Sequence, residues 1–284
     1  MLTIGLIRLP GVILGHELTR GRDWKLISVP AKGAMRRPLE RAITDSRLNA
    51  IAIIGLGVKK TRYAEKALSS GKHVLVEFPL SHESKEMSRL QKIAEKRELC
   101  LYSPNLLRTE SSIQELKRTT SSPSAKLLSL TIVCGMNTRF ERSDCTMKLV
   151  QLLDLLEWVT GSKCMEANGE KSTNHPSSVA FVVTFSLESG VKGLVNLYSA
   201  PSKSQVRLWI DGIFEDSLAH IDPYAQAVRL SRFSDNFGKS VNWAPSSVSI
   251  ALEDFVACIG GERRPSVRDK MEKLLNLAHS ALEV

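Results

Sequence analysis

Short apolar runs alternate with charged, helix-periodic stretches through the first hundred residues. LTIGLI (2–7), WKLISV (24–29), AIAII (50–54), HVLVEF (73–78) and LCLYS (99–103) are too short for helices and are bounded by polar, Gly or Pro positions. Each predicts a strand. Between them, TRYAEKALSSGK (61–72) predicts a helix stopping at Gly71. Residues 82–97 predict another, with Met87, Leu90, Ile93 and Ala94 on one face. A polar Arg/Lys-rich helix is expected after the second strand. Strands alternating with helices make an α/β fold, a parallel sheet with helices on both faces.

The pattern changes beyond RTTSSPSA (118–125), a Ser/Thr/Pro cluster with the composition of a linker. The expected domains are therefore 1–120 and 121–284. KLLSLTIVCGM (126–136) reads as a strand, and TMKLVQLLDLLEWVTG (146–161) as one amphipathic helix. Residues 178–200 and 205–233 alternate with period two, broken at Gly190 and Gly212. That predicts an open antiparallel sheet in an α+β C-terminal domain. The end is helical again: VSIALEDFVACIGG carries Leu252, Phe255, Val256 and Ile259 on one face, and DKMEKLLNLAHSALEV follows a break at Pro265.

Composition narrows the class. The chain has 284 residues, 43% apolar and 24% charged, which suits a globular protein with a sizeable core. No apolar run approaches the roughly 20 residues that span a membrane, and MLTIGLIRLPGVILG reads as a first strand, not a signal peptide. Five widely spaced cysteines without C-x-x-C argue for reduced thiols, a cytoplasmic setting and no metal site. The net charge of +9 favours a small anionic partner. The Lys and Arg residues are dispersed without interleaved aromatics, which argues against nucleic acid.

GKHVLVEFP (71–79) resembles the strand-and-corner GKHVxxEKP of the Gfo/Idh/MocA oxidoreductases. It is most similar to the biliverdin reductase branch, which carries an aromatic residue in place of the lysine. DLLEWVTG (154–161), the alternating sheet segments and DFVACIGGERRPSVRDKMEKLL (254–275) follow in the family's order. The resemblance implies a Rossmann-like N-terminal domain, NAD(P)-dependent chemistry, and a C-terminal domain whose sheet covers the cofactor and often mediates homodimers.

Position by position, the resemblance implies a site with many of its working groups exchanged. A Rossmann first turn needs Gly-x-Gly-x-x-Gly so that backbone N–H groups approach a pyrophosphate. Here Arg8, Pro10 and Ile13 stand at the glycine positions. Pro10 has no N–H to offer. Arg8 with Leu9, Pro10 and Gly11 forms the expected cofactor loop. Lys32 offers a cation for a 2′-phosphate, favouring NADP over NAD. Gly55 and Leu56 follow the third strand where the family prefers Thr-Pro, and Lys60 stands at the family's His.

At the corner, Glu77 either bonds a ribose or caps local backbone, and Phe78 has no proton to give. The family's helix Asp and His positions hold Met147 and Gln151. Asp154 is either substrate-facing or structural. The weak catalytic candidates are Lys148, Tyr102 and Gln151. Asn105, Arg139, Arg142 and Gln151 are the expected substrate contacts, with the arginines suited to carboxylates or left as surface residues. Oxidation of a sugar hydroxyl needs a base, and none stands in place. Three readings remain: a reductase of a conjugated anionic substrate such as a bilin, a non-catalytic relative that binds a ligand or protein, and a dehydrogenase with a relocated acid–base group.

Overall fold

The computed structural model describes residues 2–8, 24–29, 43–55, 59–137, 141–175, 178–200, 207–225, 227–232, 238–240, 247–262 and 271–283. The chain divides into two compact units, Met1–Leu106 with Pro245–Met271, and Leu107–Ala244 with Glu272–Val284.

In the first unit the five apolar runs are strands β1 (Leu2–Arg8), β2 (Trp24–Val29), β3 (Ala50–Ile54), β4 (His73–Val76) and β5 (Leu101–Tyr102). They form one parallel sheet in the order β2-β1-β3-β4-β5. Every residue of β3 is buried, as expected of a central parallel strand covered on both faces. Helices α1 (Lys59–Ser69) and α2 (Ser84–Lys96) connect β3 to β4 and β4 to β5. On α2, Met87, Leu90 and Ala94 are buried and Ile93 is half-buried. Gly71 ends α1 in the left-handed region at φ +76, where its N–H and that of Lys72 bond Leu68 O and Ala67 O. A side chain there would meet open space but a strained backbone.

Helix α5 (Ser247–Ile259) belongs to this unit. Val248, Ala251, Leu252, Phe255 and Cys258 pack in one cluster with Ile4, Leu6, Trp24, Ala52 and Leu75, with Val256 and Ile259 at its margin. Full burial of Phe255 alone is worth roughly 1.5–3 kcal/mol. A single division at residue 120 would assign α5 to the other domain. Its apolar stripe instead completes the face of the parallel sheet.

His73 joins β4 to the start of β5. Its Nδ1 accepts the Cys100 N–H at 3.0 Å, so the ring carries its proton on Nε2. Burial holds its pKa below the ordinary 6.5. Between the folded and unfolded values the unfolded chain binds the extra proton, so this contribution is intact above about pH 6.5 and is lost as pH falls below it. Urea unfolding at neutral and mildly acidic pH should show a shallower pH slope for His73→Gln, whose amide oxygen keeps the acceptor, than for wild type.

The second unit contains α3 (Ser111–Thr120), α4 (Arg142–Thr160), α6 (Met271–Ala281) and strands β6 (Leu127–Asn137), β7 (Cys164–His175), β8 (Ser178–Leu187), β9 (Lys192–Ala200), β10 (Leu208–Phe214), β11 (Ser217–Asp222), β12 (Ala227–Arg232) and β13 (Gly238–Ser240). The sheet order is β13-β12-β11-β10-β6-β9-β8-β7. It is mixed, because β6 and β9 pair in parallel while the other neighbours are antiparallel. Period two does not distinguish the two pairings, so the alternation predicted an antiparallel sheet throughout.

The segment expected as a linker closes α3 and turns into β6, and α3 packs on α4, β11 and β12 within this unit. Alternate residues such as Leu130, Ile132, Val183, Phe185, Val195 and Ile210 are buried. Val182, Ile213 and Leu218 point the opposite way and are exposed. A capping box between Glu141 and Asp144 starts α4, and Gly161 at φ +70 ends it.

Candidate functional site

In a doubly wound sheet, ligands bind outside the carboxyl ends of the strands where the strand order reverses. Here β2 lies on one side of β1 and β3 on the other, which places the reversal between β1 and β3. Arg8, the last residue of β1, registers against Ile54 of β3, and Gly55 follows directly. The two expected cofactor positions Arg8 and Gly55 are thus brought to the same point. Leu9, Pro10, Gly11, Lys32 and Leu56 lie outside the described residues.

The next strand supplies the corner. β4 ends at Val76, and the Glu77 N–H continues the ladder to Ile53 O at 3.0 Å. The Glu77 carboxylate accepts the Gly55 N–H through Oε2 at 2.7 Å. Of its two expected roles, capping local backbone is the one this bond makes. The Glu77 carbonyl accepts from Lys60 Nζ at 2.9 Å, and the Phe78 N–H donates to Pro104 O at 2.9 Å. Thr61 Oγ1 reaches Leu80 O at 3.5 Å. The Phe78–Pro79 peptide is cis, and the Phe78 ring is only 4% exposed. Asn105 is buried directly after Pro104.

These features suit a dinucleotide at the fold level. The strand order is right, and Gly55 at φ +113 takes a conformation open to glycine alone at the carboxyl end of β3. At residue 78 the corner carries the hydrocarbon ring of Phe78, which has no proton to give.

Tyr102 also belongs to the first unit. Its hydroxyl lies 3.5 Å from Asp254 Oδ2 and its ring stacks on Phe255 at 6.4 Å. In the second unit, Lys148 Nζ donates to Gln151 Oε1 at 2.7 Å, bringing two of the sequence candidates together. Gln151 is buried and Lys148 half-buried. Arg142 is exposed on the first turn of α4, and Arg139 lies outside the described residues.

Asp154 has a structural partner that the sequence reading missed. Arg108 grips its carboxylate at 3.0 and 2.8 Å and also reaches its carbonyl at 3.1 Å. The guanidinium lies over the Trp158 ring, 5.6 Å from its centre. Burial pulls Arg108 down to about 10, so it remains charged at neutral pH. All five cysteines are free and buried, and burial raises Cys100 and Cys145 to about 12. They are poor nucleophiles at neutral pH. Among the described residues no cluster of His, Cys, Asp or Glu has the makings of a metal site, and no helix is long and apolar enough to cross a membrane.

Residues 26–105 match the Gfo/Idh/MocA family model, described as an oxidoreductase family with an NAD-binding Rossmann fold. No curated protein matches the chain. Several solved structures share the fold along its whole length. A dehydrogenase from Clostridium difficile has a TM-score of 0.73 at 11% identity, covering 98% of this chain and 97% of that one. Biliverdin reductase from Synechocystis, solved with biliverdin and NADP+, has a TM-score of 0.69 at 14% identity, covering 100% and 96%. UDP-N-acetylglucosamine 3-dehydrogenase from Acidithiobacillus ferrooxidans has 0.66 at 17%, covering 100% and 96%. At these identities the likeness concerns the fold. The match to the Gfo/Idh/MocA family itself rests on the first unit, where the parallel sheet and the Glu77–Pro79 corner lie.

Proposed function

We propose that the chain is an NADPH-dependent reductase of a conjugated, anionic small molecule, of which a bilin is the best example. The observation that carries this is the corner itself: its backbone is tied in place, yet its side chain is a buried phenyl ring. Bound nicotinamide would supply the hydride. An extended conjugated acceptor spreads the resulting charge and takes its proton from water or a ring nitrogen, so the protein's task is positioning. A sugar alcohol requires a base, and the groups at the family's helix positions are Met147 and Gln151.

In this reading Arg8 and Gly55 flank the nucleotide, and Lys32 favours the 2′-phosphate of NADP. Glu77 holds the Gly55 N–H at the end of β3, and Arg139 and Arg142 receive substrate carboxylates. Asn105 and the Lys148–Gln151 pair complete the polar contacts. The second sheet's exposed Val182, Ile213 and Leu218 suit a homodimer; sedimentation equilibrium showing only monomer would remove that part.

A second reading, a non-catalytic relative, is favoured by one specific observation. The Gly55 N–H at the strand-order reversal is already taken by Glu77. Mixing protein, NADPH and biliverdin separates the two. The first reading expects loss of biliverdin absorbance matched by loss of NADPH absorbance. Unchanged spectra with NADPH bound would discard the bilin assignment, and unchanged spectra with no NADPH bound would leave the non-catalytic reading.

A further inference from the structure

We propose that Lys60 is a positioning residue of the nucleotide site, acting through Glu77. This rests on reading the first unit as a nucleotide-binding domain. Lys60 is 0% exposed and is the bulkiest side chain fully buried among the described residues. Burial of an ammonium is costly unless its donors are satisfied. An unbranched apolar residue would fill the same space without that penalty, so a lysine here calls for a reason.

The geometry supplies one. The carbonyl end of the Glu77–Phe78 peptide accepts from Lys60 Nζ, and its N–H end donates to Pro104 O. Held at both ends, the peptide plane cannot swing. Its orientation sets where the Glu77 side chain leaves the backbone. That side chain in turn bonds the Gly55 N–H at the carboxyl end of β3. The chain of contacts therefore runs from α1, through the corner, to the strand end next to Arg8. Thr61, the next residue on α1, reaches the corner's Leu80 carbonyl, so the first turn of α1 grips the corner twice. Lys60 touches neither cofactor nor substrate in this account. It fixes the peptide that orients the Glu77 carboxylate on the Gly55 N–H.

The test is Lys60→Met, which keeps the unbranched apolar stem as far as Cε but removes the donor. Its first readout needs no cofactor: the Gly55 amide in a nitrogen-proton correlation spectrum, which a hydrogen bond to a carboxylate moves downfield. Lys60→Met should shift that amide upfield while leaving the fold's circular dichroism intact. NADPH should bind at least ~10-fold more weakly, a change of about 1.4 kcal/mol. In a double-mutant cycle, Lys60→Met with Glu77→Ala should weaken binding no more than Glu77→Ala alone, since both act on one contact. Lys60→His, which restores a donor, should recover most of the affinity.

An unmoved Gly55 amide, NADPH affinity within about twofold of wild type, or additive losses in the cycle would each overturn the proposal. So would failure of both Lys60→Met and Lys60→His to fold, because a strut local to the corner leaves the sheet standing. A moved amide with no NADPH binding to wild type would instead reject the nucleotide reading and keep the strut.

Discussion

Asp154→Ala should destabilise the second unit by about 3–5 kcal/mol, because it strands a buried guanidinium. The Asp154 carboxylate is 1% exposed and takes two donors from Arg108, whose side chain is 16% exposed. Without it, Arg108 keeps the Trp158 face, a backbone carbonyl and the charge of Glu157, but no carboxylate bonded to its guanidinium. Replacing both residues together, with Arg108→Met and Asp154→Leu, should cost far less, since the desolvation penalty disappears with the pair. Hydrogen exchange of β7–β9 amides reads this unit separately from the other, where a single two-state transition cannot be assumed. Equal losses in the single and double variants would show that the pair is not the source. The same geometry matters for chemistry: a carboxylate clamped by Arg108 is not poised to accept a substrate proton.

Gly193→Ala should be nearly as damaging, at about 3 kcal/mol or more. Gly193 of β9 registers with Leu130 of β6 in the sheet's parallel pair. A Cβ at Gly193 would sit 1.9 Å from the Leu130 carbonyl oxygen and 2.6 Å from Phe185 Cζ. The phenyl ring can turn aside, but the carbonyl belongs to the backbone of the neighbouring strand. The added methyl therefore forces β6 and β9 apart at the middle of an eight-stranded sheet. Urea unfolding with circular dichroism measures the loss. Wild-type stability in this variant would show that the strands part without cost, contrary to the packing described.

The first sheet was legible because parallel strands are buried on both faces and leave unbroken apolar runs, as AIAII does in β3. The helix containing Leu252 and Phe255 was legible as a helix, but periodicity names a buried face without naming what covers it. Its place against β1–β5 required the packing itself. The parallel β6–β9 pair was hidden for a related reason, since side chains alternate identically in either direction.

At the candidate site, the sequence places Phe78 and Lys60 where the resembling motif has lysine and histidine. It left Glu77 open between ribose and backbone, and the 2.7 Å bond to Gly55 gives it a backbone partner. Asp154 was similarly open. Its partner lies 46 residues away, a separation that no local pattern reveals. The Tyr102 ring and hydroxyl are engaged by Phe255 and Asp254, from a helix far along the chain.

Calorimetric titration of the whole chain with NADPH, beside NADH, addresses the nucleotide site directly. Saturable binding in the micromolar range, tighter for NADPH, is expected, with a Gly55 amide that shifts on saturation. No heat and no shift up to millimolar cofactor would contradict it.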